Sequence, residues 1–238
     1  MQFFRPLRPI AALSFDLDDT LYDNEPVMHA CEQDAAAALG RRYPQLAHLS
    51  AADWAARRHL RAQREPALQH DMTALRGATI AAELVAYGMA ESEAERGAQQ
   101  GMAEFIRLRN RIRVPQETLQ VLAALAERWP LVAISNGNAD PALIGLAPYF
   151  QFCLRAGPDG RAKPYPDMFQ LAAQRLDIRP ESLLHVGDHL QTDVQGAIHA
   201  GAQACWLNDH QRQLRSDDHS RTLPTLEIRR LASLCELL

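Results

Sequence analysis

Lysine is all but missing from this chain of 238 residues, and arginine supplies nearly all of its positive charge. Basic residues do not even outnumber acidic ones: 25 Lys plus Arg stand against 29 Asp plus Glu, for a formal net charge of -4. That balance excludes broad affinity for nucleic acid, which needs a cationic footprint. It leaves an anionic small molecule open, because one local cationic pocket is enough. Cysteine is scarce too. Cys31, Cys153, Cys205 and Cys235 form no CxxC pair and no metal-ligand spacing. They read as small buried hydrophobes in a reducing compartment, not as staples or zinc ligands. Long apolar runs are missing as well. No segment reaches the length needed to cross a bilayer. The opening MQFFRPLRPIAALSFDLDD runs from a short apolar stretch straight into acids, unlike a signal peptide. The expectation is a cytoplasmic protein with neither membrane nor nucleic-acid partners. Internal repeats and low-complexity linkers are also lacking.

What is present is enough apolar material, 47% of residues, to fill a core. The length fits one large domain or a domain with an insert. Ile10 to Phe15 is a short apolar run ending in acids, the pattern of a buried strand. Leu131 to Ser135 repeats the pattern after Pro130 and ends in Asn136-Gly137. Leu183 to Val186 ends in Gly187-Asp188, and Ala204 to Leu207 forms a fourth run. Helical spacing lies between them. Pro115 suits a first turn ahead of Leu119, Leu122 and Leu125. Met168, Leu171, Ala172, Arg175 and Leu176 mark a second helix. Val194, Ala197 and Ile198 mark a third, with Gly201 as its C-terminal cap. After Leu207 the chain is polar through Ser220. Leu226, Ile228, Leu231, Leu234 and Leu238 then suit a last short strand and helix. Strands alternating with helices predict an α/β fold with a Rossmann-like parallel sheet.

Residues 23–113 differ. They are rich in Ala, Arg, Glu and Gln and poor in β-branched residues. Leu75, Thr79, Ala82 and Val85 recur at helical spacing, as do Ala94, Ala98, Met102, Phe105 and Ile106. The pattern predicts an all-helical insert between the first two strands, with 1–22 and 114–238 forming the sheet domain. Such an insert sits over strand ends, where open α/β sheets bind ligands.

The chemistry-bearing residues follow the same strands. Phe15-Asp16-Leu17-Asp18-Asp19-Thr20 crowds three acids at one strand end, which destabilises unless a cation is near. Mg²⁺ is the hard cation that carboxylates and a phosphate share. Asp16 and Asp18, two apart, face one side and can serve as nucleophile and acid/base. Taken alone, the run also reads as an acidic turn. Ser135-Asn136-Gly137 offers a hydroxyl and backbone N–H groups to phosphate, or simply an Asn-Gly turn. Lys163, in Arg161-Ala162-Lys163-Pro164, is a fixed cation or an ordinary surface lysine. Gly187-Asp188-His189-Leu190-Gln191-Thr192-Asp193 brings another carboxylate to the same edge, or a helix cap.

In that order, carboxylate pair, hydroxyl, lysine, acid, the chain resembles the haloacid dehalogenase-like superfamily. The matching motifs are Asp16-x-Asp18-x-Thr20, Ser135, Lys163, and Gly187-Asp188 with Asp193. The resemblance spans the chain, helical cap included. It implies a Mg²⁺-dependent phosphatase with Asp16 as covalent nucleophile and Asp18 as acid/base. It implies phosphate and substrate contacts from Asp16, Leu17, Asp18, Thr20, Ser135, Asn136 and Lys163. Mg²⁺ would be held by the Asp16 carboxylate, the Asp18 backbone carbonyl and Asp188, with Gly187 and Asp193 supporting. Within the family, FRPL, FDLDDTLYDN, WPLVAISNGN, LRAGPDGRAKPYPDM and HVGD resemble bacterial flavin mononucleotide phosphatases. That implies a small phosphorylated metabolite as partner: flavin mononucleotide or 5-amino-6-(5-phospho-D-ribitylamino)uracil. A monomer or small homo-oligomer is expected. Rival readings are a haloacid dehalogenase, a phosphomutase, a broad sugar- or nucleotide-phosphate phosphatase, and a silent binding protein on the same fold. His189 reads as a loop histidine, because Mg²⁺ prefers oxygen. Among the aromatics near the insert, Tyr22, Tyr43, Trp54 and Tyr87, Tyr22 is the one expected beside the site and a candidate for stacking on a substrate ring. Trp54 and Tyr87 are expected to pack helices together.

Overall fold

The computed structural model describes residues 1–209, 214 and 222–238. The polar stretch expected after Leu207 therefore falls largely outside the described residues. The chain divides into two compact units, Met1–Asp23 with Arg113–Leu238, and Asn24–Ile112.

The first unit is built on a seven-stranded sheet. Its strands are β1 (Gln2–Phe3), β2 (Ala12–Phe15), β3 (Leu131–Ser135), β4 (Cys153–Arg155), β5 (Leu183–Gly187), β6 (Gln203–Leu207) and β7 (Leu226–Ile228). The spatial order is β1-β7-β6-β5-β2-β3-β4, parallel except for the β1–β7 pair. The four strands expected from apolar runs are buried along their whole length, as a sheet covered on both faces requires. The α/β expectation holds.

Strand β2 pairs with β3 on one side, Leu13 opposite Leu131, and with β5 on the other, Leu13 opposite Leu184. The chain thus leaves β2 toward β3 and β4, then returns to build β5 and β6 on the opposite flank. The carboxyl end of β2 is a topological switch point, the crevice where open sheets bind ligands.

One face of the sheet is covered by α6 (Asp167–Arg175) and α7 (Gly196–His199). Met168, Phe169 and Ala172 pack with Val132, Ile134 and Leu154. Gly201 follows α7 at φ +87, and the Ala202 N–H closes back on the Ala197 carbonyl at 2.9 Å. That is the left-handed C-terminal cap the sequence predicts. Helix α5 (Gln116–Ala126) begins after Pro115 and buries Leu122 and Leu125. The C-terminal segment Leu231–Leu237 is a 3₁₀ helix with Leu234 buried.

The second unit consists of α1 (Glu25–Arg42), α2 (Ala51–Arg64), α3 (Met72–Ala86) and α4 (Glu91–Arg109). Ser50 and Asp53 form a reciprocal capping box at the start of α2. Asp71 caps α3 through the Ala74 N–H at 2.8 Å. Leu39, Trp54, Ile80, Leu84, Ala94 and Ala98 share its core. On α3 the expected stripe is partly wrong. Leu75 and Thr79 are buried, but Val85 is 40% exposed and Ile80 and Leu84 carry the inner face. The helix turns 100° per residue, and a reading one position late drifts off the stripe within two turns. Trp54 packs as expected, whereas Tyr87 lies outside the core and bonds His48 through its hydroxyl at 2.8 Å.

Candidate active site

Asp16 is the first residue beyond β2, and its N–H still donates to the Val186 carbonyl at 2.9 Å. The sheet therefore fixes its backbone. Next comes a tight turn. Leu21 N–H donates to the Leu17 carbonyl at 2.9 Å, and Asp19 N–H to the Tyr22 carbonyl at 3.0 Å. Asp19 takes a left-handed φ of 58, at a cost of about 1 kcal/mol for a residue with a Cβ, though Asp tolerates it better than most.

Lys163 reaches this point from the loop ahead of α6 and is only 3% exposed. The surface-lysine reading is excluded. Its Nζ donates to Asp16 Oδ1 at 2.7 Å, to Asp193 Oδ1 at 2.6 Å and to the Ile134 carbonyl at 2.8 Å. All three N–H bonds of the ammonium are thereby committed. Asn136 holds the same lysine by its backbone. Its side chain accepts from the Lys163 N–H at 2.7 Å and donates to the Lys163 carbonyl at 2.9 Å. Sequence reasoning gave Asn136 a backbone role toward phosphate; the side chain's grip on Lys163 had no signal in the sequence.

Asp193 lies on a π-helical turn, Leu190–Gln195, that leads into α7. The widened turn rotates its carboxylate inward, where it is 1% exposed. Oδ1 also meets His185 Nε2 at 3.2 Å, and Oδ2 accepts from the His189 N–H at 3.0 Å. A Cβ on Gly187 would collide with this side chain. His185, on β5, bonds Ser14 through Nδ1 at 2.9 Å and stands edge-on to Phe169. Its apolar run hid it from sequence reading. His189 caps the turn, accepting from the Gln191 and Thr192 N–H groups.

Asp188 follows β5. Its Oδ1 accepts from Thr20 Oγ1 at 3.2 Å, and its carbonyl from Trp206 Nε1 at 2.8 Å. Ser135 is buried at the end of β3 and accepts the Gly137 N–H at 2.9 Å. Asp18 is half-buried, and its Oδ1 accepts the Tyr22 hydroxyl at 2.7 Å. Tyr22 stands beside the site, but at 4% exposure its ring is no platform for a substrate. That expectation is corrected: Tyr22 packs in the core and spends its hydroxyl on Asp18. Leu17 is fully buried, so only its backbone faces the turn.

Asp16, Asp188 and Asp193 each bring a carboxylate oxygen within 4.8 Å of the others. Charge is out of balance there. Burial, only partly offset by Lys163 and reinforced by Asp193, pushes the Asp16 carboxyl well up. Burial, then Asp193 and Asp19, raise Asp188 to about 6. Asp193 goes the other way: burial opposes its charge, but Lys163 and His185 outweigh burial and hold it far below the carboxylate range. For Lys163 burial likewise loses to the two carboxylates, and it stays charged. Hard oxygen donors with destabilised charge suit a divalent cation of the Mg²⁺ type. Asp16 and Asp188 are the carboxylates that could hold such an ion. Asp193, already accepting three hydrogen bonds, contributes charge from behind.

A model of the haloacid dehalogenase-like hydrolases matches residues 10–201. The chain belongs to that family of hydrolases, and within it is a phosphatase. It is 48% identical, over 100% of both chains, to 5-amino-6-(5-phospho-D-ribitylamino)uracil phosphatase YigB of Escherichia coli (strain K12). It is 36% identical to the phosphoserine phosphatase of Thermus thermophilus over 48% of this chain and 47% of that one. Its fold superposes with a TM-score of 0.88 on 2-haloacid dehalogenase from Pseudomonas syringae pv. Tomato DC3000, 32% identical, over 96% of this chain and 97% of the other.

Proposed function

We propose that this protein hydrolyses a phosphate monoester in two steps on Asp16, with Mg²⁺ as cofactor, and that its substrate is 5-amino-6-(5-phospho-D-ribitylamino)uracil or flavin mononucleotide. The observation that carries the mechanism is the Lys163 ammonium clamped between Asp16 and Asp193, with Asp188 alongside. The full-length likeness to YigB supports the substrate.

In the first step an Asp16 oxygen bonds to phosphorus as the ester P–O bond breaks, and Asp18 gives its proton to the departing alkoxide. In the second, Asp18 takes a proton from water, the water oxygen bonds to phosphorus, and the bond to Asp16 breaks. Lys163 orients Asp16 so that its other oxygen faces the phosphate. Ser135, Thr20 and the backbone of Leu17, Asp18 and Asn136 are assigned to the non-bridging oxygens. Mg²⁺ held by Asp16, the Asp18 carbonyl and Asp188 would offset the repulsion between carboxylate and phosphate. The helical unit Asn24–Ile112 is assigned the choice among esters, because the core residues address phosphate alone.

A dehalogenase reading has a structural relative in its favour. Yet a halide leaves without a proton, and a singly charged haloacid needs no divalent cation to approach an aspartate. Asp18 and Asp188 would both be idle. Their presence supports phosphate chemistry.

The test is acid quench during turnover of flavin mononucleotide, followed by peptide mapping. A hydroxylamine-labile phosphate on Asp16, lost in excess EDTA, is expected. Full turnover by Asp16→Asn, or in excess EDTA, would sink the mechanism.

A further inference from the structure

The carboxyl of Asp18 is bonded on one oxygen and closely approached on the other by residues to which the scheme above gives no part. Tyr22 donates its hydroxyl to Oδ1 at 2.7 Å. On the other side Oδ2 lies over Gly137, where a Cβ would approach it to 2.5 Å. The turn enforces the first contact. Asp18 and Tyr22 face each other as a bridge pair, closed by the Asp19 N–H bond to the Tyr22 carbonyl at 3.0 Å. Tyr22 is 4% exposed, so its ring is locked by packing and the hydroxyl has little freedom to leave. Gly137 makes the second contact possible, and its own N–H is bonded to Ser135 Oγ at 2.9 Å. Oδ2 is thereby set against the loop that follows Ser135.

A carboxylic acid has one hydroxyl oxygen and one carbonyl oxygen, and the carbonyl oxygen is the better acceptor. A donor fixed on Oδ1 makes Oδ1 the carbonyl oxygen. The transferable proton then belongs on Oδ2, the oxygen beside the phosphate-facing loop. We propose that Tyr22 is a positioning residue which, by occupying Oδ1, assigns the acidic proton of Asp18 to Oδ2 and aims it at the leaving oxygen. This rests on the acid–base reading of Asp18. It also gives the buried Tyr22 hydroxyl a partner, where burial of an unbonded hydroxyl would be unfavourable.

The consequence is selective. Proton donation matters when the leaving group is a strong base, as an alkoxide is, and little when it is an acidic phenol. Tyr22→Phe keeps the packed ring and removes only the donor. The phosphorylation step, read by single-turnover quench, is expected to slow about tenfold on flavin mononucleotide, the size of one hydrogen bond. On p-nitrophenyl phosphate the same step should stay within about twofold. KM and melting temperature should hardly move. In an Asp18→Asn background, adding Tyr22→Phe should cause no further loss, because a residue acting through Asp18 has nothing left to act on. Equal slowing on both esters, additive losses in the double variant, or an unchanged rate on flavin mononucleotide would each overturn the assignment. If Asp18→Asn itself keeps the full rate, the acid–base reading falls first and takes this inference with it. If Asp18→Asn is inactive and Tyr22→Phe is not, only the inference falls.

Discussion

Each unit buries a charged triad, and the two have opposite sign. In the sheet unit one cation, Lys163, sits between Asp16 at 2.7 Å and Asp193 at 2.6 Å. In the helical unit one anion, Glu32 of α1, sits between Arg76 of α3 at 2.5 Å and Arg58 of α2 at 3.0 Å. The helical triad ties three helices together, and Arg76 also lies 3.7 Å from the centre of the Phe105 ring. Burial opposes the Glu32 charge, but the two guanidiniums more than offset it and its carboxyl sits below the usual value. That ion is settled. In the sheet unit the outer anion Asp16 is pushed up, and Asp188 next to it is raised to about 6. The helical triad leaves its odd charge on the guanidiniums; burial and Arg76 lower Arg58, yet an arginine stays ionised, and the triad acts as a fastener. A triad that leaves one carboxylate unsatisfied beside a second is a place where something else is meant to bind.

The sharpest way to break this contrast is Asp16→Asn. Turnover should fall by about four orders of magnitude, while the melting temperature stays level or rises, because an ion that burial and Asp193 disfavour has been removed. A clear drop in melting temperature would show that Asp16 is a fastener after all. Lys163→Met should lose both properties. Two buried carboxylates are left facing each other, so stability should fall by about 3–5 kcal/mol and phosphate mimics such as beryllium fluoride should no longer bind. Glu32→Gln is the mirror experiment. It leaves two buried arginines without their anion and should cost about 3 kcal/mol in denaturant melts. Its kcat on p-nitrophenyl phosphate should be retained.

The smallest effect is a pH dependence. With its carboxyl raised to about 6, metal-free Asp188 contributes stability that is present below its unfolded value of 3.8 and is lost as pH rises through about 6. A bound cation offsets that loss only where Asp188 is ionised. The rise in melting temperature on adding Mg²⁺ should therefore be larger at pH 7.5 than at pH 5, by roughly 2–4 °C. An equal rise at both pH values would remove Asp188 from the cation site.

Much of this was readable in the chain. Strands β2, β3, β5 and β6 announce themselves as apolar runs because both faces of a parallel sheet are covered. β1 and β4, of two and three residues, are too short to carry a period. The residues at strand ends were legible as chemistry, but their depth was not. Asp193 is turned inward by a π-helical turn that no spacing announces. Lys163 is buried only because Asp16, Ile134 and Asp193 come from separate strands and a helix turn. The side-chain clamp of Asn136 and the Tyr22 hydroxyl on Asp18 likewise exist only once the loops fold together. Composition places groups near one sheet edge; hydrogen-bond partners are decided by the third dimension.

Lys163 is also the chain's single lysine. With its three N–H bonds committed and its charge held by two carboxylates, its nitrogen has no free lone pair for an acylating reagent. Apart from the terminal amine, the native protein is blank to amine chemistry. An activated-ester dye should couple at that terminus alone while the fold is intact, and gain one further attachment when the sheet opens. Mass spectrometry of the dye-treated protein would thus count unfolded molecules directly, at the residue on which the site is built.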